Sequence, residues 1–445
     1  MLHGSLVKKM LLFTLPIALS SIIQQLFNAA DTSIVGYFDN ADALAAVGTN
    51  TEIVAFIVTL SSGLTIGANV LIANRIGKRQ TQDIPAVVGT SVILALIVGA
   101  AGLICGQAVA APLLRMIKTP QGIFPQAQAY LRIYLIGYPF LLLYDFGAAA
   151  LRARGDSRYP FVALVISGVA NVLLNLLFVI VFHLGVAGVA IATDISNVLS
   201  AAMVLYRLHK DDMFRLTFKN VRLVGEYTGE ILKIGVPSAI QGAVFCFANI
   251  FVQASVNIFG ANVIAGSTIA VNFEYFTYYI ITAFAQTVTT FVGQNYAAGQ
   301  IKRCKKIFWL CLAFSLAFGF VSVLPVVVFR GFFAGLFSTE AAVIENAGIR
   351  IMQILILEWI CGIYEIPAAV LRGTGRAVLP AASTVVGTCV FRIVWICTVF
   401  KARRSLHMLY LVFPLSWLFT ALLVWICYIA VRPLAARENG ETPIK

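Results

Sequence analysis

The chain has 445 residues, 60% hydrophobic and only 11% charged, with a mean hydropathy of +0.91. That balance excludes a soluble globular protein and points to a polytopic membrane protein. The formal charge of +13 does not signal nucleic acid, because the basic residues are dispersed through short loops and form no single face.

The opening MLHGSLVKKMLLFTLPIAL has a short basic region before an apolar run but no small-residue cleavage site, so it reads as a first span and not as a removed signal. Apolar stretches of about 20 residues, the length that crosses a bilayer, fall near 11–37, 50–74, 86–110, 128–150, 160–182 and 186–206. A second set falls near 230–258, 264–292, 307–329, 349–371, 379–400 and 407–431. The expectation is an all-α integral membrane protein of twelve transmembrane helices.

Lys and Arg sort by alternate loops. One side holds Lys8, Lys9, Arg75, Lys78, Arg79, Arg152, Arg154, Arg158, the 207–233 connection, Lys302 to Lys306, Arg372, Arg376 and the C-terminus. The positive-inside rule makes that side cytoplasmic and puts both termini there. The KARRS segment, Lys401 to Ser405, falls on the other side and breaks the pattern. The eight cysteines are scattered, seven in apolar runs, without metal-ligand spacing, so they read as small core residues and no metal site is expected.

The chain repeats itself. YDFGAAALRARGDSRYP (144–160) aligns with YEIPAAVLRGTGRAVLP (364–380), and TLPIALSSIIQQLFNAAD with GVPSAIQGAVFCFANIFV, pairing Pro16 with Pro237 and Asn28 with Asn249. Two six-helix halves, each with an even helix number, imply parallel repeats about a pseudo-twofold axis along the membrane normal. The expected organisation is an N-terminal bundle over 1–206, a cytoplasmic linker over 207–229 and a C-terminal bundle over 230–445.

Asp31 is the first chemical signal. A carboxylate near the middle of a spanning helix costs roughly 2.5–3.5 kcal/mol on insertion scales and is normally kept for a function or a partner. Pro16 gives the same helix a place to bend. Asn171 and Asn175 are four apart and share a face of the fifth helix, while Thr193 and Asp194 lie on the sixth at matched depth. An oxygen-rich pocket of this kind suits a proton or a sodium ion. The plainer alternative is that Asp31 and Asp194 only hydrogen-bond neighbouring helices.

With LPIALSSIIQQLFNAADTSIVGYF, ALRARGDSRYP, NVLLNLLFVIVFHLGVAGVAIAT, EILKIGVPSAIQ, VGQNYAAGQIKR and VLRGTGRAVLP in place, the chain resembles the multidrug and toxic compound extrusion (MATE) family, its DinF-like branch more than the NorM-like one. The resemblance covers nearly the whole chain. It implies a V-shaped pair of six-helix bundles that exports small amphipathic, often cationic, organic compounds by alternating access, driven by inward proton or sodium flow. It also implies a monomer in the inner membrane of a bacterial cell, with no cofactor, and with organic substrates, the coupling ion and the lipid bilayer as partners.

Carried over residue by residue, the family's helix-one aspartate matches Asp31, and its surrounding polar positions match Asn171, Asn175 and Thr193. Many members have a second aspartate where this chain has Asn175. Asp194 could replace that charge, although adjacent helical residues point about 100° apart. The NorM-like second-half acids align with Phe245 and Cys361, so coupling is expected in the first half alone.

Gln24, Asn28, Asn249, Glu274, Tyr275, Tyr278 and Gln286 are the candidate cavity residues. Glu274 among tyrosines could hold an organic cation by charge and cation–π attraction, or sit in an interfacial aromatic belt. Asp145 with Arg152 and Glu365 with Arg372, each seven apart, read as structural or inner-gate pairs. Arg392, inside the eleventh helix, is expected to pair with an acid or with backbone carbonyls. The competing functions are a lipid-linked oligosaccharide flippase, which would add helices or line its cavity with basic groups, and an integral membrane enzyme. For the latter there is no phosphate loop or nucleophile motif, so no catalysis is expected.

Overall fold

The computed structural model describes residues 1–435 except 39–40, 118 and 218–219. Two linker positions and the C-terminal residues 436–445 of the expected second bundle therefore lie outside the described residues. Among the described residues every regular element is helical. Twelve long helices follow one another: α1 Leu6–Phe38, α2 Ala41–Gly77, α3 Ile84–Met116, α4 Phe124–Arg154, α5 Arg158–Val181 and α6 Gly185–Lys210. The rest are α7 Gly225–Phe259, α8 Ala261–Ala297, α9 Ile301–Val328, α10 Ala341–Gly373, α11 Val378–Phe400 and α12 Leu406–Val431. This is the all-α membrane class read from the sequence.

Eleven of the twelve are long and apolar enough to cross a membrane by length and composition; α8 is not among them. At 37 residues it is about 55 Å long, so its polarity, not its length, sets it apart. The reason is its place inside the packing: Glu274, Thr277, Thr287, Thr289, Gln294 and Asn295 are all buried. Where a helix packs on other helices it can satisfy its polar groups on them.

The repeat is visible in backbone geometry. Gly155 ends α4 with φ 110° and Gly375 ends α10 with φ 87°. In each, the next two backbone N–H groups turn back to the last helical carbonyls: Gly155 to Arg152 and Asp156 to Leu151, Gly375 to Arg372 and Arg376 to Leu371. This is the glycine cap that requires a left-handed residue. The motifs LRARG and LRGTG are thus one structural device used twice.

The chain divides into two compact units, one of Leu19–Gly235 and one of Met1–Ala18 with Val236–Lys445. These bounds differ from the expected 1–206 and 230–445. The first 18 residues belong with the second half, and the start of α7 belongs with the first. Each division falls within a few residues of a helix proline, Pro16 or Pro237.

In the first unit α4 packs against α2, α3 and α6, burying Leu131 and Leu135 with Val47, Leu114 and Val189. The connection after α6 docks on this unit: Asp211 pairs with Arg154, and Thr90 of α3 donates to the Arg222 carbonyl (3.0 Å). In the second unit α10 and α9 pack on α8. Met10, Phe13 and Ile17 of α1 join Phe284, Val288 and Phe291 of α8 in its core. A hydroxyl pair, Thr14 with Thr287 (2.7 Å), fixes that junction.

Candidate functional site: a carboxylate–amide cluster and a second charged cluster

In the first unit, α1 carries Asp31 into contact with α5, where Asn171 and Asn175 sit one turn apart. Asp31 is 8% exposed and Asn175 fully buried. Asn175 Nδ2 donates to Asp31 Oδ1 (2.5 Å) and to Asn171 Oδ1 (3.3 Å). Asn171 Nδ2 donates to Thr193 Oγ1 on α6 (3.3 Å).

With its amide turned the other way, Asn171 donates to Asp31 Oδ1 (2.7 Å) and accepts from the Thr193 backbone N–H (3.3 Å). In that orientation the amide nitrogen faces the Asp31 carboxyl, the partner a carboxylate takes. Asn175 Oδ1 is buried and, among the described residues, has no hydrogen-bond partner. Four of the five residues proposed for coupling thus meet on three helices.

Asp194 is the correction. Its carboxylate lies against Gly137 of α4, where any side chain would collide with it. It opens into a shallow cleft of about 190 Å³ lined by Ile136, Phe140, Ile195 and Val198. Depth alone placed Asp194 beside Thr193 in the cluster; the turn of one residue on α6 directs it to α4 instead.

The second unit holds charge that the sequence reading assigned differently. Glu274 is not a free acid for a cation: Arg350 of α10 donates to both its oxygens (2.7 and 2.8 Å). The Arg350 guanidinium also lies over the rings of Tyr410 and Phe413. Tyr278 stacks on Phe245 (6.5 Å) and donates to Glu365 (3.3 Å). Tyr275 stacks on Tyr279 and is 41% exposed. Gln24 and Asn249 are half-buried; Asn28 and Gln286 are exposed.

Of the two expected gate pairs, one is closed. Arg372 donates to Glu365 (3.2 Å), whereas no ion pair joins Asp145 and Arg152 among the described residues, and Asp145 Oδ2 and Arg152 Nε have no hydrogen-bond partner there. Arg392 departs from its expectation too. It donates to side-chain oxygens, Asn249 Oδ1 (2.8 Å) and Ser416 Oγ (3.1 Å), and lies 4.5 Å over the Phe413 ring.

Arg350 and Glu358 are functional candidates that the sequence reading does not single out. The available signal was their presence, eight residues apart, within a predicted span, where ionisable groups are rare.

The MatE family model matches the chain twice, over residues 16–177 and 237–398, which together make up well over half of it. The probable multidrug resistance protein YoeA of Bacillus subtilis is 26% identical, covering 85% of this chain and 83% of its own. The probable multidrug resistance protein NorM of Thermotoga maritima is 26% identical, covering 85% and 82%. A crystal structure of a MATE in complex with MaL6 superposes with a TM-score of 0.91 at 22% identity, covering 98% of both chains, a likeness of fold. The twofold family match, the all-helical fold and its paired caps agree with one another: the chain belongs to the MatE family of membrane transporters.

Proposed function

We propose that this transporter exports small amphipathic, cationic organic compounds by proton antiport with alternating access, and that Asp31 carries the coupling proton. The supporting observation is the Asp31–Asn175–Asn171–Thr193 cluster, in which a buried carboxyl on α1 is met by neutral amides of α5 and by no cation among the described residues. Proton loss and gain at Asp31 would change which hydrogen bonds tie α1 to α5 and α6. A ligand shifts a conformational equilibrium only through such differential interaction. Asn171, Asn175 and Thr193 position that proton.

Gln24, Asn28, Asn249, Tyr275, Tyr278 and Gln286 are proposed to contact substrate; Glu274, tied to Arg350, is left out of that role. Pro16 is the proposed hinge and Glu365–Arg372 the proposed inner gate. The proposal includes a monomer in the inner membrane of a bacterial cell, both termini cytoplasmic, needing no cofactor and catalysing no covalent step.

A second reading, sodium coupling, is favoured by the unpartnered Asn175 Oδ1, a hard oxygen beside the Asp31 carboxylate.

The test is organic-cation transport in reconstituted vesicles under separate proton and sodium gradients, comparing wild type with Asp31→Asn. The expected result is proton-driven export in wild type and none in the variant, with substrate binding retained. Drive by sodium alone would select the second reading. Normal transport by Asp31→Asn would remove Asp31 from coupling.

A further inference from the structure

The two repeats do not keep one register throughout. Pro160 and Pro380 are 220 positions apart, whereas Pro16 and Pro237, like the ends of the two family matches at 177 and 398, are 221 apart. The extra residue of the second half falls in α11, which is wound as a π-helix over Val385–Val390. Such a wide turn accommodates one added residue in a helix.

Beyond it, Arg392 takes the place of Asn171. Asn249 of α7 takes the place of Asn28, and buried Val252 that of Asp31. Where the first unit sets an amide on an acid of α1, the second sets a guanidinium on an amide of α7.

Of the buried acids of this unit, Glu274 is paired with Arg350 and Glu365 with Arg372; the third is Glu358 on α10. It is 5% exposed, and its Oε2 has no hydrogen-bond partner among the described residues. The helix around it is irregular, a π stretch over Ile351–Leu355 before it and a tighter turn over Trp359–Cys361 after it. The charged groups acting on Glu358 are Glu274 from α8, Arg350 from α10 and Arg392 from α11, with buried Cys361 on its own helix.

Arg350 is engaged by Glu274. Arg392, 1% exposed, is held by Asn249 and Ser416 and by the faces of Phe413 and Phe245. Among the described residues neither Glu358 nor Arg392 forms an ion pair. A buried acid and a buried guanidinium, the latter against aromatic rings, thus each lack a counter-ion among the described residues. An uncompensated buried charge is costly, and a proton on the acid removes it.

We propose that Glu358 is a second proton-binding site of this transporter, which when ionised takes Arg392 from Asn249 and so releases the grip of α11 on α7. The site deepens the proton-antiport reading above and rests on it. It predicts two coupled protons per cycle, one in each unit, bound by chemistry of opposite layout.

Two measurements test it. Difference infrared spectra across a pH titration of the purified protein report carboxylic acid C=O bands. The expectation is that Glu358→Gln removes one band and Asp31→Asn a different one, while Glu358→Asp restores a band in place of the first. In vesicles, tetraphenylphosphonium, which carries no titratable proton, reads the stoichiometry. Losing one of two coupled protons lowers its limiting accumulation ratio about tenfold per pH unit of gradient in Glu358→Gln.

An infrared spectrum of Glu358→Gln that superimposes on wild type, or an unchanged accumulation ratio, overturns the second site. Loss of the Asp31 band effect alone would instead count against the first-unit reading and leave Glu358 standing.

Discussion

A charge inside the bilayer must be met by something, and this protein meets its charges in distinct ways. Asp31 is met by amides, Glu274 by a bidentate guanidinium, and Arg392 by neutral oxygens and ring faces. The pairing of Glu274 makes a sharp prediction. Glu274→Gln leaves Arg350 buried and uncompensated, a change that typically costs about 3–5 kcal/mol. Thermal unfolding in detergent should therefore show a large loss of stability, rescued in part by adding Arg350→Met to remove the orphaned cation. If Glu274→Gln keeps wild-type stability and weakens only organic-cation binding, Glu274 is a substrate residue after all. The sequence led to Asp31, Asn171, Asn175 and Thr193 because spacing on a helix and depth in the bilayer are both legible there. It misplaced Asp194 because one residue of helical rotation decides between two neighbours. It missed the role of Arg350 because partners 76 positions apart leave no local trace.

At the scale of elements, the devices that shape the helices are prolines, glycine caps and π stretches, and only the first two are readable from residue types. Gly375 has φ 87° and open space around its missing side chain. Gly375→Ala should therefore lose only the left-handed backbone preference, about 1–2 kcal/mol, seen as a modest drop in unfolding temperature with transport intact. A large loss of activity would mean that the cap does more than end α10. The π stretches carry no compositional mark. Val385–Val390 shows itself only when the register of the two repeats is followed through α11. Deleting Val386 should convert it to an ordinary helix and, since the wide turn is what absorbs the added residue, leave Arg392 facing Asn249. The expected result is protein that inserts and unfolds near the wild-type temperature, with the infrared band of Glu358 in place. A large loss of stability with that band displaced would show that the wide turn does not hold the added residue and that α11 beyond it has rotated, by about 100° for one residue.

For the whole molecule, composition and span length made the class plain, and the duplicated motifs made the two-part organisation plain. Their limits were not legible, because nothing in a run of apolar residues says which bundle it packs against. The sequence divides at its polar connection, but the structure divides beside Pro16 and Pro237. Met10, Phe13 and Ile17 are core residues of the second unit, and Arg75 of α2 pairs with Glu226 and Glu230 at the start of α7. Each half of the chain therefore supplies part of the other's fold. This can be tested by cutting the chain within the 211–224 connection and expressing the pieces. If each half were a self-sufficient bundle, either piece alone would reach the membrane in a protease-resistant form. With the ends exchanged, each piece alone exposes an unfilled place in its core and should be degraded. Co-expressed pieces should be protected and should purify together through a tag on one of them, since severing one polar connection removes only a modest entropic advantage. Stable single pieces that do not associate would show that the first 18 residues are dispensable to the second unit, and the division beside the prolines would be wrong.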